Sequence, residues 1–294
     1  MNFRRTAVSS RHLSATRPPA PIATAQATPL AAALLAMLLF GAALVGTTAV
    51  KAQTPAEKGL AIAVEADNRD LGWIDSESQV KMILTNRNNE TSTRELRIKS
   101  LEIQDPNLGD KSLTIFDHPR DIEGTAFLSH TRILEPDDQW LYLPALKRVK
   151  RISSANKSGP FVGSEFAYED LVSQEVAKYS YSWLRDEACG TLQCFVVEQI
   201  PVYENSGYTK EIVWIDQQEY RAMKIEFYDR KDSLLKTLTN SDYRQYLDRY
   251  WRAHTLQMDN HQTGKSTTLT FETYQFKVGN KEGDFTPNRL KRAR

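Results

Sequence analysis

The sequence predicts an α+β fold in which one large antiparallel sheet curves on itself and helices cover one of its faces. Hydrophobic alternation of period two runs through most of residues 79–276, the pattern of strands whose successive side chains point to opposite faces. The later connectors, residues 216–219, 229–232 and 261–265, are short and turn-rich, so consecutive strands are antiparallel neighbours. Helical signals are confined to the front and the middle of the chain. About a dozen strands in a single sheet must curl, because large twisted sheets do not stay open and flat, and the few helices then pack on one side.

Thr54, Pro55 and Glu57 occupy the N-cap, N1 and N3 positions of a capping box, so a helix starts at Pro55. Leu60, Val64 and Leu71, with Ala63 and Ala66 between them, form a stripe at helical spacing, and Gly72 is its stop. After Trp73 the period becomes two: Val80, Met82 and Leu84 alternate with Gln79, Lys81 and, less cleanly, Ile83. Over residues 94–103, Leu96 and Ile98 share one face while Leu101 and Ile103 fall on the other, a phase slip expected of a bulge. Further strands are expected at 111–116, 125–130, 139–143, 147–152, 177–186, 195–202, 208–216, 220–228, 234–246, 251–260 and 266–276. Alternation fails between 153 and 173, where Gly159, Pro160 and Gly163 mark a loop leading into a helix over 164–174. No change of composition and no Pro/Ser/Gly-rich linker divides residues 55–290, so residues 53–294 read as a single domain.

The 294 residues carry 38 Lys+Arg against 37 Asp+Glu, and 40% are hydrophobic, a globular balance. Residues 1–52 hold Arg4, Arg5, Arg11, Arg17 and Lys51 and no acidic side chain. Without them, 38−5 = 33 basic and 37 acidic residues remain, a net charge of −4. Such a domain lacks the clustered basic excess of nucleic-acid binders. Leu30 to Gly46 is apolar and uncharged, and Val50 and Ala52 put small or apolar residues at the −3 and −1 positions of a cut after Ala52. This is the pattern of a signal peptide, with an uncleaved anchor as the alternative, since the run is near the lower length limit of a spanning helix. No cysteine follows it for lipid modification, and Arg4-Arg5 lies too far from it to read as a twin-arginine signal. The two cysteines, Cys189 and Cys194, bracket a four-residue segment between strands. In an exported protein that spacing suits a disulfide across a hairpin tip, whereas a metal site would need further ligands, and the nearest histidines, His130 and His254, lie far off in the sequence.

Catalytic motifs are met only as fragments. Residues 263–267 (TGKST) resemble the end of a phosphate-binding loop, but Asp259 stands where its first glycine belongs, so a hairpin turn is read there. Ser154 and Lys157 satisfy S-x-x-K without its companion motifs and in a loop instead of a helix. His118, His130, His254 and His261 are scattered, and Asp137-Asp138 reads as a turn before a strand. No G-x-S-x-G elbow is present. The sequence thus gives no catalytic residue, no metal ligand set and no cofactor, and the expectation is a protein that is not an enzyme.

The candidate ligand surface is the set of period-two stripes Val80/Met82/Leu84, Leu96/Ile98, Leu113/Ile115, Trp140/Tyr142 and Tyr179/Tyr181/Trp183, assigned to the concave face under the helices as the lining of an apolar cavity. The plainer reading is ordinary core, and for one strand the phase is open: Trp140 and Tyr142 could face outward with Leu141 and Leu143 inside. Lys147, Arg148, Lys150 and Arg151 form the one local charge run that stands out. It reads either as a charged edge strand that resists aggregation or as a contact for phosphate headgroups or an acidic partner.

Three continuous segments, SLTIFDHPRDIEGT at 112–125, DDQWLYLPALKRVKRI at 137–152 and SGPFVGSEFAYEDL at 158–171, resemble the signature of the bacterial outer membrane lipoprotein-sorting protein family, the LolA-like proteins often encoded beside exporters of the resistance-nodulation-division (RND) class. The likeness extends to DYRQY at 242–246, Trp251-Arg252 and FTPNRL at 285–290, nearly the whole mature chain. The resemblance implies a half-open antiparallel β-barrel whose apolar concave face, capped by helices, holds acyl chains. It further implies a monomeric periplasmic carrier that takes the acyl chains of a lipid or lipoprotein between membrane partners, an RND-class exporter or an outer-membrane acceptor, with no nucleic acid involved. A lipid-sensing regulator of envelope stress is the second reading and a lipid-active hydrolase the third, the last wanting a nucleophile with its base.

Overall fold

The computed structural model describes residues 52–105 and 107–292; apart from Ala52, the segment read as an export signal lies outside them. Helix α1 (Pro55–Asp70) begins as the capping residues predict: the Thr54 side chain accepts from the Glu57 amide, and Glu57 accepts from the Thr54 amide at 2.8 Å. Its buried face is Gly59, Ile62 and Ala63, not the expected stripe. Leu60, Val64 and Leu71 are 39–47% exposed. The reason is close approach: a Cβ on Gly59 would stand 2.7 Å from the Trp183 amide nitrogen, so the face that carries Gly59, with Ile62 and Ala63, meets the sheet, and Leu60 and Val64 turn out. The helix ends at Asp70, two residues before the expected stop.

Every alternating segment forms a strand. They are β1 (Asp75–Thr85), β2 (Thr91–Leu101), β3 (Leu108–His118), β4 (Ala126–Arg132), β5 (Asp138–Leu143), β6 (Arg148–Ile152), β7 (Tyr179–Cys189), β8 (Leu192–Pro201), β9 (Tyr208–Asp216), β10 (Ala222–Asp229), β11 (Leu234–Tyr246), β12 (Tyr250–Asn260) and β13 (Lys265–Phe276). All lie in one sheet of order β6-β5-β4-β3-β2-β1-β13-β12-β11-β10-β9-β8-β7, and each neighbouring pair is antiparallel. The chain thus starts mid-sheet, meanders to one edge at β6, crosses to the other edge at β7 and meanders back until β13 seals against β1. The sheet is open between β6 and β7 and does not close into a barrel.

The crossing segment, residues 153–178, contains only short 3₁₀ turns, so the helix expected over 164–174 does not form. Phe161 donates its amide to the Phe166 carbonyl at 2.7 Å, Ser164 Oγ donates to the Phe161 carbonyl, and Pro160 bridges Ala167. These bonds use groups a helix would need, and the resulting loop drives both Phe161 and Phe166 into the core. Together with α1 this strap covers what is here called the inner face of the sheet.

The phase slip of the second strand has a different cause from the bulge expected there. β1 and β2 pair without interruption from Asp75↔Leu101 to Thr85↔Thr91, and Leu101 is buried on the outer face. That face is apolar because a C-terminal tail ending in helix α2 (Pro287–Leu290) seals it with Phe285 and Leu290. Cys189 and Cys194 form the expected disulfide at the β7–β8 hairpin, with Cα atoms 5.9 Å apart, beside a third apolar cluster of Val196, Ile212 and Trp214.

Candidate functional site

The inner face is continuous and apolar. Val80 pairs with Leu96 on one side and Phe271 on the other, and Met82 pairs with Leu269. Phe116, Phe127, Val197, Val213, Leu238 and Met258 extend the same surface across both wings of the sheet. Of the predicted lining, Val80, Met82 and Leu96 are buried here, Leu84 and Ile98 are half-buried beside them, and Tyr179, Tyr181 and Trp183 join from β7.

Four predicted lining residues do not share this face. Leu113, Ile115, Trp140 and Tyr142 pack on the outer side with Leu101, Ala126, Leu128 and the tail residues Phe285 and Leu290. The register explains it: β3 pairs Phe116 with Leu96 and Thr114 with Ile98, which puts Leu113 and Ile115 opposite Lys99 and Arg97. On β5 it is Leu141 and Leu143 that turn inward, the alternative that the alternation left open. In Leu113-Thr114-Ile115-Phe116 and Trp140-Leu141-Tyr142-Leu143 both phases carry apolar side chains, so period two alone cannot say which is inside.

The strap reaches the inner face through aromatic rings. Phe161 lies 5.2 Å from Phe127 and 5.8 Å from Phe116, centroid to centroid, and Tyr168 lies 5.4 Å from Phe127. Its backbone there is strained: Val162, β-branched, has φ 47°, and its carbonyl accepts from Arg94.

One end of the inner face carries buried polar groups instead of apolar ones. Lys236 Nζ donates to Asp170 Oδ2 at 2.6 Å and to the Glu165 carbonyl at 3.0 Å, and Tyr208 donates its hydroxyl to Asp170 Oδ1 at 2.6 Å. Glu169 accepts from the Gly207 amide at 2.9 Å and from Ser206 Oγ at 3.1 Å; a Cβ on Gly207 would meet that carboxylate at 2.7 Å. Lys178 pairs with Asp137 at 2.6 Å. Glu211 lies beneath, its nearest recorded partner the Tyr179 hydroxyl at 3.5 Å. Burial pushes the Glu211 carboxyl up to about 8, helped by the nearby Asp170 and Glu169, and burial also raises Glu169, countered in part by the Gly207 N–H. The strap is therefore fastened by polar bonds as well as by its rings. The sequence reading missed this network. Its signal is the phase: Lys236 and Glu211 stand on the inward positions of strands that otherwise present Leu238, Val213 and Ile215.

The cationic run lies at the open edge. Lys147, in left-handed conformation at φ 49°, leads into β6. Arg148 and Lys150 pair with Leu143 and Leu141, hence share the inner-face phase, while Arg151 pairs with Trp140 on the outer phase and forms an ion pair with Asp138. All four are exposed. The other sequence fragments take structural roles: Lys157 sits with its ammonium 3.7 Å from the Tyr203 ring centroid, His254 bridges the Tyr246 hydroxyl and the Phe271 carbonyl, and His130 Nε2 lies 2.7 Å from the Phe285 carbonyl oxygen.

The match to known proteins follows this architecture. A family model described as "Uncharacterized protein" matches residues 109–292. A solved domain from Vibrio parahaemolyticus, which carries the description of an outer membrane lipoprotein-sorting protein, is 60% identical, with a TM-score of 0.78 over 80% of this chain and 99% of its own. The chain belongs to the outer membrane lipoprotein-sorting protein family. A DUF1329 family protein from Desulfovibrio piger is 27% identical, with a TM-score of 0.76 over 81% of this chain and 99% of its own. A LolA superfamily protein from Nitrosomonas europaea shares the fold at 19% identity, with a TM-score of 0.64 over 78% of this chain and 98% of its own. No curated protein matches the chain. The family resemblance read from residues 112–171 is thereby confirmed, and so is the large curved antiparallel sheet with few helices.

Proposed function

We propose that the protein is a periplasmic carrier that holds the acyl chains of a lipid or lipoprotein against the inner face and passes them between membrane partners, an RND-class exporter or an outer-membrane acceptor. The observation that carries this reading is the cover of that face. A continuous apolar surface across thirteen strands is closed by an irregular strap and by a helix approaching through Gly59, not by a second sheet. An acyl chain would take the place of Phe161, Phe166 and Tyr168. Burying a 16-carbon chain contributes on the order of 10 kcal/mol at about 0.8 kcal/mol per CH₂, before ordering costs. No bond-making step is needed. The periplasmic assignment draws on the expected export segment and on the disulfide.

Native mass spectrometry of protein recovered from the periplasm tests the reading: co-purified lipid is expected, with no turnover of ester or glycoside substrates. Ile98→Glu places an unpaired charge at a half-buried inner-face position and is expected to abolish acyl-probe binding. A folded Ile98→Glu protein that binds the probe normally would remove the inner face from consideration, and ester hydrolysis would favour the enzyme reading.

A further inference from the structure

Two clefts of similar size open on the domain, and their arginines and lysines are used differently. The first, of about 590 Å³, lies between the end of α1 and the β11–β12 turn and contains Arg69, Arg221, Arg249 and Arg252. Each is engaged by the protein itself: Arg69 by Glu65, Arg221 by Asp216, Arg252 by Asp70, and Arg249 by the carbonyls of Asn68 and Arg69. Of these, Arg249 and Arg252 stitch the helix to the sheet.

The second cleft, of about 580 Å³, lies between the strap and the β10–β11 and β12–β13 turns. Its rim carries Arg230, Lys231 and Lys265, all exposed. Among the described residues none of the three forms an ion pair; nearby, Asp232 is committed to Lys210 and Asp170 to Lys236. Arg230 donates only to the Ser206 carbonyl and Ser158 Oγ. Two carboxylates line the cleft, and both are occupied by neutral donors: Asp229 accepts from the Lys231 and Ser233 amides and from Gln262, and Glu165 accepts from Asn260 Nδ2 at 2.7 Å. Lys231 adds to the field that holds Asp229 below the usual carboxylate range, after the Gln262 and backbone bonds. Beneath this rim the wall changes character, since Phe166 and Tyr208 belong to the inner-face core and Leu235 packs against it. A cationic rim over a floor in which Phe166, the Tyr208 ring and Leu235 flank the paired Lys236 and Asp170, and which continues into the core, matches an amphiphile with an anionic head.

We propose that this cleft seats a phosphate-bearing headgroup, with Arg230, Lys231 and Lys265 as its donors, while the attached chains run under the strap. The proposal rests on the carrier reading for the chains but not for the anion. Charge-assisted bonds from lysine and arginine to phosphate are the strong ones. At about 0.15 M salt the field of such a rim reaches only some 8 Å, so the headgroup must make contact.

The test uses the full mature chain and three probes: fluorescent phosphatidylglycerol, a diacylglycerol with the same chains, and inorganic phosphate. Lys231→Glu with Lys265→Glu alters two exposed side chains and should leave the melting temperature unchanged, and Lys231→Arg with Lys265→Arg should retain function. We expect phosphatidylglycerol uptake to fall at least ten-fold in the charge-reversed protein, with diacylglycerol uptake unchanged. If wild type and variant take up both lipids equally, the headgroup proposal is overturned while the carrier reading stands. If wild type takes up neither lipid but binds phosphate in a manner the variant loses, the cleft is a site for the free anion and the carrier reading fails. Absence of binding by every phosphate-bearing probe overturns the proposal.

Discussion

The inner face of the sheet and the outer side of β3, β4 and β5 are both buried and apolar, yet they are closed by different means. On the outer side of β3, β4 and β5 the cover is the C-terminal tail, whose Phe285 and Leu290 are at most 1% exposed and meet an apolar patch of matching size. On the inner side the cover is a strap whose rings touch Phe116 and Phe127 but whose ends are fastened through Asp170, Glu169, Lys236 and Asp137. The outer seal is mainly apolar, with a few polar ties: the Phe285 carbonyl meets His130 Nε2, Lys111 pairs with Glu282, and Asp75 accepts from the Val278, Gly279 and Asn280 amides. The inner one rests on a network of buried ion pairs, which are costly unless every bond to them is kept. A surface meant to stay shut needs little more than the first device. The second suits a cover that holds in one arrangement and releases in another.

Truncating a buried apolar side chain on each face should break the comparison most visibly. Phe127→Ala removes the ring that Phe161 and Tyr168 stack against and should cost about 3–5 kcal/mol, while Leu290→Ala on the outer face should cost about 2–5 kcal/mol. The difference lies in function: acyl-probe binding should change in Phe127→Ala and stay at the wild-type level in Leu290→Ala at a temperature where both are folded. Denaturant unfolding and probe titration on the same samples decide it. Equal loss of binding in both would mean that the faces are not functionally distinct.

The polar end of the inner face predicts a pH dependence opposite in sign to that of His130 on the outer face, whose imidazole is lowered by burial. Glu211 is raised from 4.5 to about 8 by burial. Between those values the folded chain keeps a proton that the unfolded chain has lost, so stability is fully present below the lower value and declines as pH rises towards 8. The whole window is of order several kcal/mol. Asp110, raised to about 7 mainly by burial, acts in the same direction but is largely titrated above pH 7. Glu211→Gln cannot ionise, so its stability curve should be flatter, most clearly between pH 7 and 8. An unchanged slope in urea titrations across that range would show that Glu211 is ionised in the folded protein.

Much of this was legible before the structure, and the part that was not has a common cause. The capping box at Thr54, the strand succession and the Cys189–Cys194 staple each depend on neighbours in sequence, and each is found. The errors concern what covers a strand. An apolar stripe implies a covered face, and the cover is there: Leu113 and Ile115 are buried, and Trp140 and Tyr142, whose phase the alternation leaves open, are half-buried, under a tail more than a hundred residues away in sequence. Leu60 and Val64 form the stripe that helical spacing picks out in α1, but the helix meets the sheet through Gly59, Ile62 and Ala63, because the close approach needs a glycine at 59. Asp170, Glu169 and Glu211 were passed over because no short motif links a strap to a strand 40 or more positions on. Periodicity reports that a side chain is covered without naming the cover.

The β7–β8 hairpin offers a smaller contrast, since its outer face is apolar around Cys194, Val196 and Trp214 and closed by a covalent link instead of a tail. Cys189→Ser with Cys194→Ser should cost about 2 kcal/mol, the value for closing so short a loop, and alkylation of the native protein should find no free thiol. A loss of 4 kcal/mol or more would place the stabilisation in the packing of Cys194.

The smallest effect on stability is expected where the two faces meet at the open edge. On β6, Arg148 and Lys150 follow the inner-face phase, while Arg151 follows the outer phase and is tied to Asp138. An edge strand exposes unpaired backbone groups, and cations on it are a recognised guard against pairing with other chains. A guard works by its charge in either sign, whereas a contact for acidic headgroups or an acidic partner works only with a positive one. Arg148→Glu with Lys150→Glu distinguishes the two. Both side chains are exposed, so folding stability should move by less than about 0.5 kcal/mol. If the inner-phase cations dock the carrier, transfer of cargo to membranes should slow in the reversed protein, and salt added to the wild type should reproduce the effect. Arg151→Ala, on the outer phase, should leave transfer unchanged. Transfer at the wild-type rate by the double variant in low salt, with no increase in aggregation, would reduce the strand to a protected edge.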